Sequence, residues 1–253
     1  MRSNPVKARL RAGETVFGCF TRTTDAALVE FVALQGWDFL VFDGEHGPLD
    51  TPTLEHLLRA TEARGATALA RVATNAPHRI LQFLDAGAMG LHVPVINSTT
   101  EAEAAIQAIK YPPRGARGLA GVRANAWNSR GTLAEYIVRA NAETMAVLHI
   151  ETDRAVSDIE AIAAVPDVDV LFIGTTDLSS DLGIPGEFDH PRLLAAIHHV
   201  AEVTHTAGVT LGAIVRSPDD IPVWKARGAR YFVVTLEAVL GPASRGFLAT
   251  ARG

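Results

Sequence analysis

Eight short apolar runs alternate with eight longer stretches of helical periodicity, and this alternation limits the chain to few folds. The runs are 16–20 (VFGCF), 38–43 (DFLVFD), 67–72 (TALARV), 89–93 (MGLHV), 145–150 (MAVLHI), 169–173 (DVLFI), 209–215 (VTLGAIV) and 230–235 (RYFVVT). Most are continuously apolar rather than alternating, as expected of parallel strands covered on both faces. Helical patterns occupy 24–35, 51–64, 76–86, 99–109, 132–142, 155–164, 191–207 and 218–227. Thr51-Pro52 and Ser217-Pro218 read as helix starts with proline in the first turn. Gly36, Gly65, Gly87, Gly208 and Gly228 follow helical stretches, where a C-terminal cap belongs. Eight strand–helix units predict an α/β fold, a single (β/α)8 TIM barrel spanning 1–253, with a doubly wound open sheet as the alternative. The length of 253 residues suits one such barrel, which uses about 250. The longest departure from the pattern is 111–131, and a loop of that length is usually functional.

Composition removes several function classes. The net charge is −5 and no basic run exists, which argues against nucleic acid and anionic membrane as partners. A single cysteine, Cys19, cannot form an internal disulfide or a cysteine-based zinc site. Residues 1–13 are polar and charged rather than a secretory signal, and no apolar run approaches the ~18 residues of a membrane helix. The expectation is a soluble cytoplasmic enzyme. No glycine-rich dinucleotide fingerprint or phosphate-binding loop is present.

The chemistry gathers where strands end. Asp43-Gly44-Glu45-His46 follows the run 39–42, and Arg71, Glu151 and Asp177 each end or follow another run. In an α/β barrel the C-terminal ends of the strands carry the active site, so groups distant in sequence can converge. Alternation along a strand puts Leu69 with Arg71 on one face, and Val147, His149 and Glu151 on another. Glu151 and Asp177 offer oxygen ligands that, with waters and a chelating substrate, suit Mg²⁺ or Mn²⁺. The structural alternative is that each carboxylate only caps the helix after it. Arg71 can bind a carboxylate or enolate oxygen, or form an ion pair with Asp43 at the rim, or do both. His46, after two acidic residues, is the candidate proton shuttle. Gly174-Thr175-Thr176 joins a strand to a short helical turn whose outward N–H groups suit an anion. The only lysines are Lys7, Lys110 and Lys225, and none ends a strand. A Schiff-base route therefore lacks its nucleophile, and carbanion chemistry would need a metal as electron sink.

These residues resemble the HpcH/HpaI family of metal-dependent class II pyruvate aldolases. The likeness is carried by FDGEHGPLD (42–50), ARV (70–72), FLDAGAMGLHVPVINSTTEAE (83–103), YPPRGARG (111–118), WN (127–128), HIET (149–152) and VDVLFIGTTDLSSDLG (168–183). It implies a barrel whose C-terminal helix is often exchanged between subunits of a homohexamer, a trimer of dimers. It implies reversible cleavage of 4-hydroxy-2-oxo acids to pyruvate and an aldehyde through a metal-held enolate. It implies a divalent metal on Glu151 and Asp177, and Arg71 at the keto oxygen with Asp43 supporting it. It further implies His46 oriented by Asp85 as a dyad, and the substrate carboxylate on the backbone of Gly174, Thr175 and Thr176. Three positions depart from the family pattern. His149 replaces a usual glutamine, Thr175-Thr176 replaces Pro-Ala, and His92 stands where aliphatics are common. An inward His149 has two uses: a third ligand favouring Mn²⁺, Co²⁺ or Zn²⁺, or a hydrogen-bond partner of a metal-bound water. The departures leave room for a siderophore-type citrate synthase reaction joining acetyl-CoA to oxaloacetate, or for a non-catalytic oxo-acid-binding barrel. Acceptor contacts are expected from 119–131, with Arg123, Asn125, Trp127 and Asn128.

Overall fold

A computed structural model describes residues 2–253. The eight expected strands are all present: β1 (Val16–Thr21), β2 (Phe39–Asp43), β3 (Thr67–Arg71), β4 (Gly90–Val93), β5 (Met145–Ile150), β6 (Val170–Ile173), β7 (Thr210–Ile214) and β8 (Ala229–Thr235). They pair in parallel in sequence order, and β8 closes on β1 to complete a barrel. The open-sheet alternative is thereby removed. The helices are α1 (Pro5–Arg11), α2 (Ala26–Ala33), α3 (Thr51–Ala63), α4 (Pro77–Asp85), α5 (Thr99–Ile109), α6 (Leu133–Glu143), α7 (Asp153–Ser157), α8 (Ile159–Ala163), α9 (Thr175–Asp181), α10 (Pro191–Thr206), α11 (Asp220–Ala226) and α12 (Leu236–Arg252). No described helix is long and apolar enough to cross a membrane.

Two differences from the sequence reading have local causes. The expected helix 155–164 is broken at Asp158, whose Oδ2 accepts from the Thr99 N–H (2.8 Å) and so ties this turn to the start of α5. Ser217-Pro218 does not open α11, because the Asp220 carboxylate accepts from the Arg216 N–H (2.8 Å) and holds a turn ahead of the helix. Gly87 does end its helix as expected, with φ 109°, a conformation that costs glycine little.

Strand alternation sorts the core into two compartments. Outward residues such as Leu40, Phe42, Leu148 and Leu171 pack under the helices. Inward residues such as Phe39, Val41, Leu69, Val147, Phe172 and Tyr231 fill the barrel. Gly18 is small because a β-carbon there would collide with the Phe39 ring. That ring stacks on Tyr231 with centroids 4.5 Å apart.

The N-terminal end of the barrel is closed by α1, which no strand periodicity announces. Its Val6 and Leu10 join the interior cluster. Asn4 donates through Nδ2 to the carbonyls of Met89 (3.2 Å) and Glu143 (3.0 Å). Lys7 Nζ donates to the Thr144 carbonyl and to Asp169 Oδ2, both at 2.9 Å. Lys110 Nζ, also buried, donates to the carbonyls of Asn141 (3.0 Å) and Thr144 (2.7 Å). Burial, reinforced by the neighbouring Lys7 charge, pushes Lys110 down to about 7 from the lysine value of 10.5. Its folded pKa is thus depressed, so the unfolded chain binds the extra proton between pH 7 and 10.5. Stability is expected to rise with pH across that window. Lys110→Met should flatten this rise in denaturant titrations; an unchanged slope would show that Lys110 keeps its charge when folded.

Candidate active site

At the C-terminal rim, the register places Asp43 of β2 directly beside Arg71 of β3. Both point inward and meet as a fork: Arg71 Nε donates to Asp43 Oδ1 (2.9 Å) and Nη2 to Oδ2 (2.6 Å). Asp43 Oδ1 also accepts from the Glu45 and His46 N–H groups at 3.0 and 3.2 Å, folding the loop back over the strand end. Burial alone would raise the Asp43 carboxyl; the bonds and charge of Arg71 outweigh it and hold the group below the usual carboxylate range. Arg71 Nη1 meets Glu45 Oε2 at 2.9 Å, so two carboxylates fix one guanidinium. Glu45 is pushed up by burial and by Glu151, against the pull of Arg71. The Phe20 ring lies under the guanidinium, with 4.9 Å from Cζ to the centroid. His46 stands at the lip, more exposed, with Nε2 3.9 Å from Glu45 Oε2.

Glu151 follows β5 and is 4% exposed. Its Oε1 accepts from the Val95 N–H at 2.7 Å, and its Oε2 faces His149 Nδ1 at 3.2 Å. Val95 has φ 53°, a left-handed conformation costly for a β-branched residue, of order 1–3 kcal/mol. That turn aims its N–H at the carboxylate. Burial would raise Glu151, but the hydrogen bonds from His149 and from the Val95 N–H hold it low. Gly174 lies against Glu151: a β-carbon there would come within 2.6 Å of Oε2. Neither carboxylate caps the next helix. Thr152 caps α7, accepting from the Ala155 N–H, and Asp177 lies inside α9.

Below Glu151, His149 Nε2 meets His92 Nδ1 at 2.9 Å, and His92 Nε2 meets the Tyr231 hydroxyl at 2.7 Å. Both ring nitrogens of His149 are therefore occupied by protein partners, which leaves neither for a metal.

One cavity of about 220 Å³ is lined by Asp43, His46, Arg71, His149, Glu151, Gly174, Thr175, Thr176 and Asp177. Asp85 is the exception among the residues singled out by sequence. Helices run antiparallel to the strands, so the last residue of α4 lies toward the opposite rim, where its Oδ1 accepts from Arg117 Nη2 at 2.7 Å. The His46–Asp85 dyad is not formed within one chain. Within one chain the 119–131 segment likewise lies away from this cavity. Arg123 Nη1 donates to the Ala86 carbonyl (2.8 Å), and Arg123, Asn125 and Trp127 line a separate groove with Leu84 and Met89. Gly174 also departs from its expected part, since its N–H already donates to the Ile150 carbonyl (3.2 Å). The N–H groups of Thr175 and Thr176, in the first turn of α9, lack intrahelical acceptors. Sequence reasoning gave Glu45 no role of its own and missed Val95 and Tyr231 as parts of the site. For Tyr231 a signal existed, its inward parity within RYFVVT.

The donor set fits a hard divalent cation. Glu151 and Asp177 open on one cavity, and each Glu151 oxygen has one protein partner and a lone pair to spare. The glycine at 174 leaves room for the carboxylate beside it.

Comparison with known proteins identifies the family. The chain is 34% identical over 239 residues to a hydroxypyruvate/pyruvate aldolase of Chromohalobacter salexigens, covering 94% of this chain and 92% of that one. Its fold matches an HpcH/HpaI aldolase/citrate lyase family protein of Burkholderia cenocepacia with a TM-score of 0.94 at 32% identity, over 99% and 100% of the two chains. It also matches the citrate synthase SbnG, with a TM-score of 0.88 at 31% identity over 98% and 97%. The sequence model described as HpcH/HpaI aldolase/citrate lyase matches residues 16–237, and the chain belongs to that family.

Proposed function

We propose that this protein is a class II pyruvate aldolase, a carbon–carbon lyase that splits 4-hydroxy-2-oxo acids into pyruvate and an aldehyde and runs the reverse addition. The observation that carries the reading is one cavity shared by Arg71, His46, Glu151 and Asp177 and reached by no lysine. Lys7 and Lys110 are buried at the opposite rim, and Lys225 belongs to α11.

Glu151 and Asp177 would hold the divalent cation, which supplies Lewis-acid stabilisation of negative charge on the 2-oxo group. Their hard oxygens favour Mg²⁺ or Mn²⁺. With both nitrogens of His149 engaged, the case for Co²⁺ or Zn²⁺ through a third ligand loses its support. Arg71 spends two N–H groups on Asp43 and pairs its charge with Glu45, and its remaining N–H groups are offered to the keto oxygen. A fixed donor of this kind is worth about 3 kcal/mol. The Thr175 and Thr176 N–H groups and hydroxyls receive the substrate carboxylate. In the cleavage direction His46, through a water, takes the proton of the C4 hydroxyl. The C3–C4 bond breaks, C4 leaves as the aldehyde, and the bonding electrons pass to the oxo-acid half as its enolate. A proton returned at C3 completes pyruvate.

Asp85 can orient His46 only from a second copy of the chain. Oligomerisation is supported independently by α12, whose Val239, Leu240, Phe247 and Leu248 are exposed in one chain. A hexamer with exchanged C-terminal helices would cover them.

The test is pyruvate release from a 4-hydroxy-2-oxo acid. Cleavage should stop on chelation and return with Mn²⁺ or Mg²⁺. Full cleavage by ion-free protein would end the metal reading. The likeness to SbnG motivates one rival, condensation of acetyl-CoA with oxaloacetate. Thiol release without any aldol cleavage would favour it.

A further inference from the structure

We propose that Tyr231 and His92 are positioning residues for the Glu151 carboxylate, acting through His149 as an ordered chain of hydrogen-bond donors. The chain runs across the barrel from β8 through β4 to β5. The proposal rests on Glu151 serving as the metal-binding carboxylate.

Proton counting sets the direction of every link. His149 Nδ1 faces a carboxylate oxygen at 3.2 Å, so Nδ1 must carry hydrogen; a lone pair there would face a negative charge. A neutral His149 then has Nε2 as acceptor. His92 Nδ1, 2.9 Å away, must donate to it. A neutral His92 therefore accepts at Nε2, and the Tyr231 hydroxyl, 2.7 Å away, donates. Each ring has a single permitted tautomer, and the sequence of donors ends on Glu151.

The chain is sealed from solvent. Tyr231 and His92 are 0% exposed and His149 is 1% exposed. Burial pushes the Tyr231 phenol well above its usual value and the His92 imidazole well below its own. Rings fix the orientation of each member. Phe172 lies 4.8 Å from His149 and 5.5 Å from His92, Phe20 meets His92 edge-on at 5.1 Å, and Phe39 stacks on Tyr231. Phe20 also carries Arg71, so one ring touches both the donor chain and the oxyanion-binding guanidinium.

The chain matters because an imidazole, unlike an amide, can exchange its donor nitrogen. Without the His92 donor, His149 can move its hydrogen to Nε2, present a lone pair to Glu151 and release the carboxylate from its orientation. Partners of this kind behind a metal ligand typically change metal affinity 10–100-fold.

The experiment measures Mn²⁺ dissociation constants from the free-ion electron paramagnetic resonance signal. Tyr231→Phe keeps the ring and its stack on Phe39 and removes only the hydroxyl. It should weaken Mn²⁺ binding at least five-fold, with the protein still folded by circular dichroism. In a His149→Gln background the amide donates to Glu151 whatever lies behind it, so adding Tyr231→Phe should change affinity less than two-fold. A smaller effect of Tyr231→Phe alone overturns the proposal, and so does an equal loss in both backgrounds, which marks packing. Glu151→Ala separates the two levels of the reading. If it binds Mn²⁺ like the wild type, the metal-carboxylate reading falls and the proposal with it. If it does not bind, failure of the Tyr231→Phe prediction condemns the donor chain alone.

Discussion

Glu151→Gln is expected to lower the rate of pyruvate release roughly 10²–10³-fold, the range for losing one preorganised electrostatic contact. The substitution keeps shape and removes charge. The amide oxygen can still accept from the Val95 N–H, but the amide nitrogen would then point its hydrogens at the Nδ1–H of His149. Steady-state assays at saturating Mn²⁺ measure the loss, and thermal unfolding separates it from misfolding. Activity within ten-fold of the wild type would show that charge at 151 is dispensable.

Gly174→Ala should be nearly as damaging although the alanine touches no substrate. With φ −87° and ψ 83° the backbone suits any residue, so strain is not the cause. The cause is space: the new methyl would lie 2.6 Å from Glu151 Oε2 and 3.0 Å from its β-carbon, and one of them must move. Overpacking costs about 1–3 kcal/mol, and here the displaced group is the carboxylate itself. Activity and Mn²⁺ affinity should each fall at least ~10-fold, the scale for disturbing the surroundings of a metal ligand. Combined with Glu151→Gln, the second loss should largely disappear, because both act through one side chain. Additive losses in the double variant would place the effect of Gly174 elsewhere, for instance at the start of α9.

The sequence already carried the barrel and most of the pocket, for a specific reason. A parallel strand buried on both faces must be apolar throughout, so a charge at its end, as at Asp43, Arg71 and Glu151, stands out. What escaped lies in geometry that spacing does not encode. The Tyr231–His92–His149 contacts join β8, β4 and β5, which meet inside the barrel only once it closes. The 119–131 segment contains Ala126, Trp127 and Asn128 in succession with φ of 54°, 51° and 60°, and alanine and tryptophan give no local sign of a left-handed run. The resemblance supplied Asp85 as a residue without saying which chain's His46 it faces, and the direction of α4 puts it at the opposite rim of its own barrel. α1 went unseen because a seven-residue helix shows only Val6 and Leu10 as apolar anchors, with Lys7 hidden among charges.

That first helix has a consequence for how the protein is made. Lys7 reaches Asp169, 162 residues further along. At roughly 5–20 residues per second, a ribosome needs about 8–32 s to supply that partner. Until then the nascent chain carries an amphipathic segment whose buried lysine lacks its carboxylate. Premature collapse of that segment onto an unfinished sheet would lower the yield of folded protein.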